Sequence, residues 1–188
     1  FAEHTDDQVG RLQSAIEEMG IEENTSFIYI LGDNGASAEG LANGLLNETT
    51  FFNGIYETLD FMNENLHKYG TEESFSHYAS GWSVAGNTPF KWAKQIAGNF
   101  GGVRNGLIIS WPGHMKETGE IRDQFCHVID VAPTILQAAG LPEPTSVNGV
   151  KQKPIEGFSM FNTFENPSEP EFHKTQYFEI GGNRGIYH

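Results

Sequence analysis

The sequence predicts an α/β fold with a mostly parallel sheet and flanking helices. Two nearly unbroken apolar runs, residues 27–31 and 107–111, each stop at turn residues. Such runs are typical of strands that are buried on both faces of a parallel sheet. The predicted elements follow one another as helix, strand, strand, helix and strand, and this alternation favours an α/β architecture.

The first predicted element is a helix between Asp6 and Met19. Apolar residues recur there at helical spacing, at Val9, Leu12 and Ile16. This spacing predicts a helix with one buried face. The first strand, residues 27–31, follows.

Residues 36–99 are predicted to form a long, loop-rich insertion, because the sequence becomes polar, aromatic and rich in Gly and Asn. One short helix is expected near residues 51–61. Two interpretations of the aromatic side chains stay open: they wall a substrate pocket, or, as the favoured alternative, they form a satellite core under the loop. These side chains are Phe51, Phe52, Tyr56, Tyr78, Trp82 and Trp92.

The last predicted elements are a helix over residues 129–140 and a strand over residues 176–180. Asp130 is the expected N-cap of the helix, Pro133 falls in the permitted first turn, and Gly140 suits the C′ position.

Length and charge limit the function classes. A chain of 188 residues can form one sizeable domain. Its net charge of −14 argues against a nucleic acid partner, since phosphate binding requires clustered Lys and Arg. It has no apolar run near the roughly 20 residues of a transmembrane helix.

Cys126 is the single cysteine, so an intrachain disulfide is excluded. Its apolar neighbours predict a small buried side chain rather than a nucleophile. The chain starts without Met or a leader and stops directly after Gly-Ile-Tyr at His188. We therefore expect a fragment of a longer protein.

Two groups of residues are candidates for chemistry. Asp33 and Asn34 come at the carboxyl end of the first strand, and both are hard oxygen donors suited to calcium or magnesium. The alternative is a tight turn, which Asp-Asn-Gly also favours. Lys94, with Lys91 nearby, can hold a tetrahedral anion, although a lone lysine is more often a solvated surface residue.

These signals occur in an order that resembles the sulfatase family, in particular the bacterial-type arylsulfatases, over essentially the whole chain. The segments that carry the resemblance are Thr25-Ser26-Phe27-Ile28-Tyr29-Ile30-Leu31-Gly32-Asp33-Asn34-Gly35, Thr88-Pro89-Phe90-Lys91-Trp92-Ala93-Lys94 with Gly101-Gly102-Val103-Arg104, Asp130-Val131-Ala132-Pro133-Thr134, and the late segments 149–159 and 177–188.

The resemblance implies the carboxyl-terminal part of an alkaline-phosphatase-like α/β catalytic domain, here incomplete and covering residues 1–188. It implies hydrolysis of a sulfate-ester small molecule or sulfated sugar, with a calcium ion, magnesium being possible, and a formylglycine nucleophile. Asp33 and Asn34 would be metal ligands, with Asp33 also near the nucleophile, and Lys94 would contact the sulfate. A periplasmic or extracellular location is inferred from the family.

Departures from the family pattern predict that the nucleophile lies outside this chain. Cys126 is not followed by the Pro and Arg of the modification motif, and Asp6 and Asp7 lie in the predicted first helix, where we expect them to be solvated. Phe100 replaces the usual acidic or amide residue before the Gly-Gly turn. We therefore expect the isolated fragment to be inactive and to need the upstream part of its own domain.

Two other functions stay open for the intact protein. One is a phosphodiesterase or phosphonate-ester hydrolase of the same superfamily, in which similar metal and lysine positions serve phosphorus chemistry. The other is a non-catalytic binding or structural module.

Overall fold

The computed structural model describes residues 2–32 and 35–188, and the chain divides into two compact units. Unit 1 contains Phe1–Tyr29 and Ile108–Thr175, and unit 2 contains Ile30–Leu107 and Gln176–His188. The helices are α1 (Ala2–Glu18), α2 (Glu48–Phe52), α3 (Leu59–Glu64), α4 (Ser80–Asn87), α5 (Phe100–Val103), α6 (Val131–Ala138) and α7 (Asn162–Glu165). The strands are β1 (Phe27–Leu31), β2 (Gly106–Ser110), β3 (Ser146–Val147), β4 (Val150–Lys151), β5 (Gln176–Ile180) and β6 (Asn183–Tyr187).

Helix α1 forms where the apolar spacing predicts it, but the prediction of a buried face is wrong. None of its described residues is buried. Leu12 is 55% exposed, and Met19, just past the helix, is 66% exposed. The apolar side of α1 is exposed because none of the described elements packs against it. None of the helices in residues 2–32 and 35–188 is both long and apolar enough to span a bilayer.

The two apolar runs form β1 and β2, which are hydrogen-bonded neighbours in a two-stranded sheet. The chain is therefore a mixed α/β structure, and the parallel arrangement stays a prediction. Burial on both faces is wrong for the described residues: Ile30 is 41% exposed, Leu31 53% and Ile108 61%. The described elements that pack against this two-stranded sheet do not cover both of its faces.

Two antiparallel hairpins were not expected from the sequence. Strands β3 and β4 pair across Asn148 and Gly149, whose φ angles are 50° and 79°. Strands β5 and β6 pair across Gly181 and Gly182, with φ of 55° and 83°. Two-residue loops with positive φ at both positions fit the right-handed twist of paired strands. The Asn-Gly and Gly-Gly dipeptides are the sequence signals from which these two hairpins could have been predicted.

The insertion at residues 36–99 contains more structure than predicted. The one expected short helix is instead two helices, α2 and α3. The Asn47 side chain caps α2 by accepting from the Thr49 amide, and Thr58 caps α3 by accepting from the Phe61 amide. Helix α4 was expected to be loop. Its Gly-rich sequence gave no strong helical spacing, and its place depends on contacts with distant residues described below.

A buried carboxylate organises the start of this insertion. Glu57 is 5% exposed, and its oxygens accept hydrogen bonds from the Leu46 amide at 2.6 Å and the Asn47 amide at 3.1 Å. The Thr50 hydroxyl also donates to Glu57, at 2.9 Å. These bonds compensate for removing the carboxylate from water. Burial, together with the nearby Glu57 carboxylate, raises the pKa of Tyr69.

Asp130 is the polar centre of unit 1. It is 0% exposed and accepts from the amides of His127 at 2.7 Å and Phe158 at 2.8 Å. The His173 ring, 3% exposed, places Nε2 at 2.7 Å and 2.8 Å from the two carboxylate oxygens. Asp130 holds the N-cap position of α6 as predicted, but its side chain binds these distant groups rather than the α6 amides.

Helix α6 is fixed to the segment around residue 158 by two further contacts. The buried Thr134 hydroxyl donates to the Asp130 carbonyl at 2.6 Å and accepts from the Met160 amide at 2.8 Å. A Cβ on Gly157 would lie 2.1 Å from the Ile129 carbonyl oxygen, so a side chain is excluded there. At its other end, α6 stops at Gly140, φ 66°, as predicted.

We expect Thr134→Val to destabilise the protein by about 1–3 kcal/mol, because it leaves the buried Met160 amide without an acceptor while keeping the side-chain shape. Urea unfolding measures the loss. The matched control is Thr145→Val at an exposed position, where surface substitutions usually change stability by less than about 0.5 kcal/mol. Equal stability of the two variants would contradict this role of the hydroxyl.

Candidate active site beside the Asp33–Asn34 and Lys94 segments

Asp33 and Asn34 lie outside the described residues, so the candidate site is described through the residues on either side of them. Gly32 and Gly35 both have φ of 96°, a left-handed conformation that suits glycine. The Asn105 side-chain oxygen accepts from the Gly35 amide at 3.2 Å. A Cβ on Gly32 would lie 3.0 Å from that same oxygen. Asn105 therefore contacts both flanks of the candidate metal ligands.

Close backbone packing brings Gly101 and Gly102, which lie in α5, against Gly35. A Cβ on Gly35 would lie 1.9 Å from the Gly101 carbonyl oxygen. A Cβ on Gly101 would lie 2.1 Å from the Trp92 carbonyl oxygen, and one on Gly102 would lie 2.2 Å from that of Ile96. The glycines are required because three backbone segments meet without room for side chains.

Ala36, two residues after Asn34, contacts the lysine segment. Its carbonyl accepts from the Lys94 amide at 3.0 Å and from the Ser83 hydroxyl at 2.9 Å. Its amide donates to the side-chain oxygen of Asn87 at 3.1 Å. Ser83 is 0% exposed, so these bonds are shielded from water. The backbones of the two segments singled out in the sequence are therefore one hydrogen bond apart.

Asn87, the last residue of α4, holds the same region from the other side. Its amide nitrogen donates to the carbonyls of Trp92 at 2.9 Å and Gly101 at 3.0 Å. With the bond from Ala36, which is 51 residues away in sequence, its side chain joins three backbone segments. Asn87 and Ser83 were missed from the sequence, since neither carries a signal beyond lying just before Thr88-Pro89.

Lys94 lies on a conformationally restrained segment. Trp92 and Gln95 flank it with φ of 68° and 76°, values that are uncommon for residues other than glycine. The Gln95 side chain donates to Glu39 at 2.8 Å, which holds this backbone in place. Lys94 is half-buried and Lys91 is exposed. The convergence of Lys94 with the Asp33 and Asn34 side chains stays a prediction.

Other candidate ligands and nucleophiles were also compared with the structure. Within residues 2–32 and 35–188, no three His, Cys, Asp or Glu side chains come together as a metal site. Asp6 and Asp7 are exposed, as expected. The prediction that Cys126 is buried is wrong, because the residue is exposed. Its thiol is nevertheless partly desolvated by its surroundings, and this desolvation, with a smaller effect of Asp130, raises its pKa.

The favoured satellite-core interpretation of the aromatic residues is wrong. All six are exposed, by 45% or more. They are Phe51, Phe52, Tyr56, Tyr78, Trp82 and Trp92. The alternative, that they wall a substrate pocket, stays a prediction.

We expect Asn87→Ala to loosen the segment after Asn34, because it removes one acceptor and two donors from the contact with Ala36, Trp92 and Gly101. Hydrogen–deuterium exchange should become faster for peptides covering residues 35–41 and 91–102. Asn63→Ala, an exposed substitution in α3, is the control and should leave both peptides unchanged. Unaltered exchange in Asn87→Ala would contradict this role.

Comparison with known proteins agrees with the family to which the sequence motifs pointed. The sulfatase family model matches residues 1–141. The chain is 29% identical to an arylsulfatase of Klebsiella aerogenes over 82% of this chain and 31% of that protein. It is 30% identical to an uncharacterized sulfatase of Schizosaccharomyces pombe, over 77% of this chain and 24% of that protein.

A third similar protein is an N-acetylgalactosamine-6-sulfatase of Mus musculus, 28% identical over 74% of this chain and 19% of that protein. The chain thus spans between about a fifth and a third of the length of these relatives. The family model covers three quarters of the 188 residues, including Asp33, Asn34 and the Lys94 segment. The chain belongs to the sulfatase family.

Proposed function

We propose that the intact protein carrying this chain is a sulfuric ester hydrolase, in which Asp33 and Asn34 bind the metal and Lys94 contacts the sulfate group. The main support is the hydrogen bond of 3.0 Å from the Lys94 amide to the Ala36 carbonyl. It places the Lys94 backbone beside Ala36, which follows the candidate ligands along the chain. Arylsulfatase and N-acetylgalactosamine-6-sulfatase relatives support sulfate esters as the substrate class, either small molecules or sulfated sugars.

The donor chemistry fits a hard cation. Asp33 contributes a carboxylate and Asn34 an amide oxygen, and calcium takes about 6–8 oxygen ligands. Two side chains therefore supply only part of the coordination shell, and we expect the remaining ligands from the rest of the protein or from water. Magnesium is the alternative metal. When bound, the metal would supply positive charge that polarises the sulfate oxygens.

Lys94 would supply a second positive charge. Its ammonium would bind the sulfate and offset the negative charge that develops on the bridging oxygen as the ester bond breaks. Local cations matter in this chain because its net charge of −14 otherwise repels an anionic substrate. The restrained backbone at Trp92 and Gln95 would limit the positions that the Lys94 stem can take.

The nucleophile, on this proposal, is a formylglycine in a part of the protein outside this chain. Cys126 does not lie in the modification motif, and its raised pKa leaves little thiolate at neutral pH. We therefore expect no turnover from the 188-residue chain alone. A periplasmic or extracellular location remains part of the proposal.

We expect Lys94→Ala in the intact protein to lower kcat/KM for an aryl sulfate by about 10²–10³-fold, the usual effect of removing a group that stabilises developing charge. Lys91→Ala is the matched control, because Lys91 is exposed and lies in the same segment; it should change the rate by less than about threefold. Greater hydrolysis of an aryl phosphate diester or an aryl phosphonate ester than of the sulfate would instead favour the phosphodiesterase or phosphonate-ester hydrolase alternative.

We expect Asp33→Asn to weaken calcium binding by at least about tenfold, or 1.4 kcal/mol, because it removes the charged ligand. Isothermal titration calorimetry of the intact protein measures the Kd independently of activity. Asp123→Asn, an exposed carboxylate in unit 1, serves as the control. Unchanged calcium affinity in Asp33→Asn would rule out the proposed ligand.

We expect Cys126 to react slowly with iodoacetamide at pH 7, and more slowly than a free cysteine peptide, because desolvation raises its pKa and the thiolate is the reactive form. The rate should rise only at a more alkaline pH than in the peptide. Mass spectrometry of this chain follows the reaction at its single cysteine. Rapid modification at neutral pH would reopen Cys126 as a nucleophile.

A further inference from the structure

A chain of side-chain hydrogen bonds links His77 to the segment that carries Lys94. His77 Nε2 lies 3.1 Å from the Ser37 hydroxyl oxygen. The Ser37 hydroxyl lies 2.8 Å from one Glu39 carboxylate oxygen, and Gln95 donates to the other at 2.8 Å. These hydrogen bonds thus pass through Ser37, three residues after Asn34, and end at Gln95, one residue after Lys94.

The position of His77 is fixed by the backbone around it. Its amide and carbonyl form an antiparallel bridge with Leu45, at 3.0 Å and 2.8 Å. The Tyr78 hydroxyl accepts from the Ser37 amide at 3.1 Å, which holds Ser37 beside the ring. A Cβ on the buried Gly40 would lie 1.9 Å from the Tyr78 carbonyl oxygen and 2.8 Å from His77 Nδ1. This close packing indicates a built arrangement rather than a loose surface contact.

Counting protons shows which form of His77 completes the network. Nδ1 lies 3.1 Å from the Tyr78 carbonyl oxygen, and a carbonyl only accepts, so Nδ1 carries a proton. The single Ser37 hydroxyl proton can go to the Glu39 carboxylate or to His77 Nε2, but not to both. If it goes to Glu39, Nε2 must itself donate to Ser37. Every bond is then made only when both ring nitrogens are protonated.

We propose that His77, as an imidazolium, is a positioning residue for the lysine segment. It donates to Ser37, which donates to Glu39, and Glu39 in turn receives the Gln95 amide. Ser37 and Gln95, which follow Asn34 and Lys94 along the polypeptide, are thereby held at a fixed separation. The effect of this network on catalysis rests on the proposed sulfatase function. The hydrogen bonds themselves do not depend on that function.

Three other titratable groups belong to the segments around His77. Glu39 is the carboxylate at the end of the chain, Tyr78 packs beside the ring with centroids 4.9 Å apart, and Lys94 adjoins Gln95. Loss of either ring proton removes one of these bonds, so the order that the imidazolium contributes is lost when the ring becomes neutral. Histidine is the side chain whose charge generally changes between about pH 5 and 8, and this range is the one to test.

The test compares wild type, His77→Gln and His77→Ala in the intact protein. A glutamine amide reaches the position of Nε2 and donates to Ser37 at every pH, so it should restore the network without titrating. The measured quantity is the kcat/KM of wild type for 4-nitrophenyl sulfate divided by the kcat/KM of His77→Gln. This ratio should fall about fivefold to tenfold as the pH rises from 5.5 to 8.5. His67→Gln, at an exposed histidine in the same unit, is the control, and its ratio should stay flat.

Hydrogen–deuterium exchange separates this inference from the proposed function. After correction for intrinsic rates, the peptide covering residues 36–41 should exchange faster at pH 8.5 than at pH 5.5 in wild type, equally at both in His77→Gln, and fast at both in His77→Ala. This result supports the network even if the intact protein has no sulfatase activity. Exchange that is independent of pH in wild type, or unchanged in His77→Ala, would overturn the proposal.

Discussion

The geometry of the candidate site depends on how the backbone of Ala36 is satisfied. Its amide and carbonyl bind the Asn87 side chain, the Ser83 hydroxyl and the Lys94 amide. A partly buried peptide group that loses its partners costs free energy comparable to a lost hydrogen bond. The chain after Asn34 can therefore not move away from the lysine segment without losing several bonds together. The glycine contact between residues 35 and 101 adds a steric limit to the same separation.

A family motif need not belong to the catalytic site, as the Asp130 region shows. Asp130 and Thr134 accept backbone amides from Phe158 and Met160, and Gly157 leaves space for the Ile129 carbonyl. Two motifs that are separate in sequence are therefore halves of one buried contact. The polar side-chain atoms of Asp130 and Thr134 form hydrogen bonds with backbone groups and with His173. These bonds explain a structural role for the two residues in folding.

The sequence predicted the features that depend on local patterns. The runs at β1 and β2 and the Gly140 stop of α6 were located correctly, since apolar continuity and a positive-φ glycine act within a few residues. The sequence did not predict Asn87 or the His77 network. Asn87 joins segments up to 51 residues away, and His77 reaches Ser37 across 40 residues. Such partners follow from the path of the chain, which one sequence does not specify.

The predicted burial of the first two strands was wrong for a different reason. Ile30, Leu31 and Ile108 lie in strands that formed as expected, yet they are 41–61% exposed. Fully burying such side chains stabilises a protein by about 1.5–3 kcal/mol each, so a longer protein gains from covering them. The sulfatase relatives are about three to five times longer than the part matched here. We expect the covering surface to come from elsewhere in the protein. Because β1 ends two residues before Asp33, that same contact would also constrain the chain that leads to the candidate metal ligands.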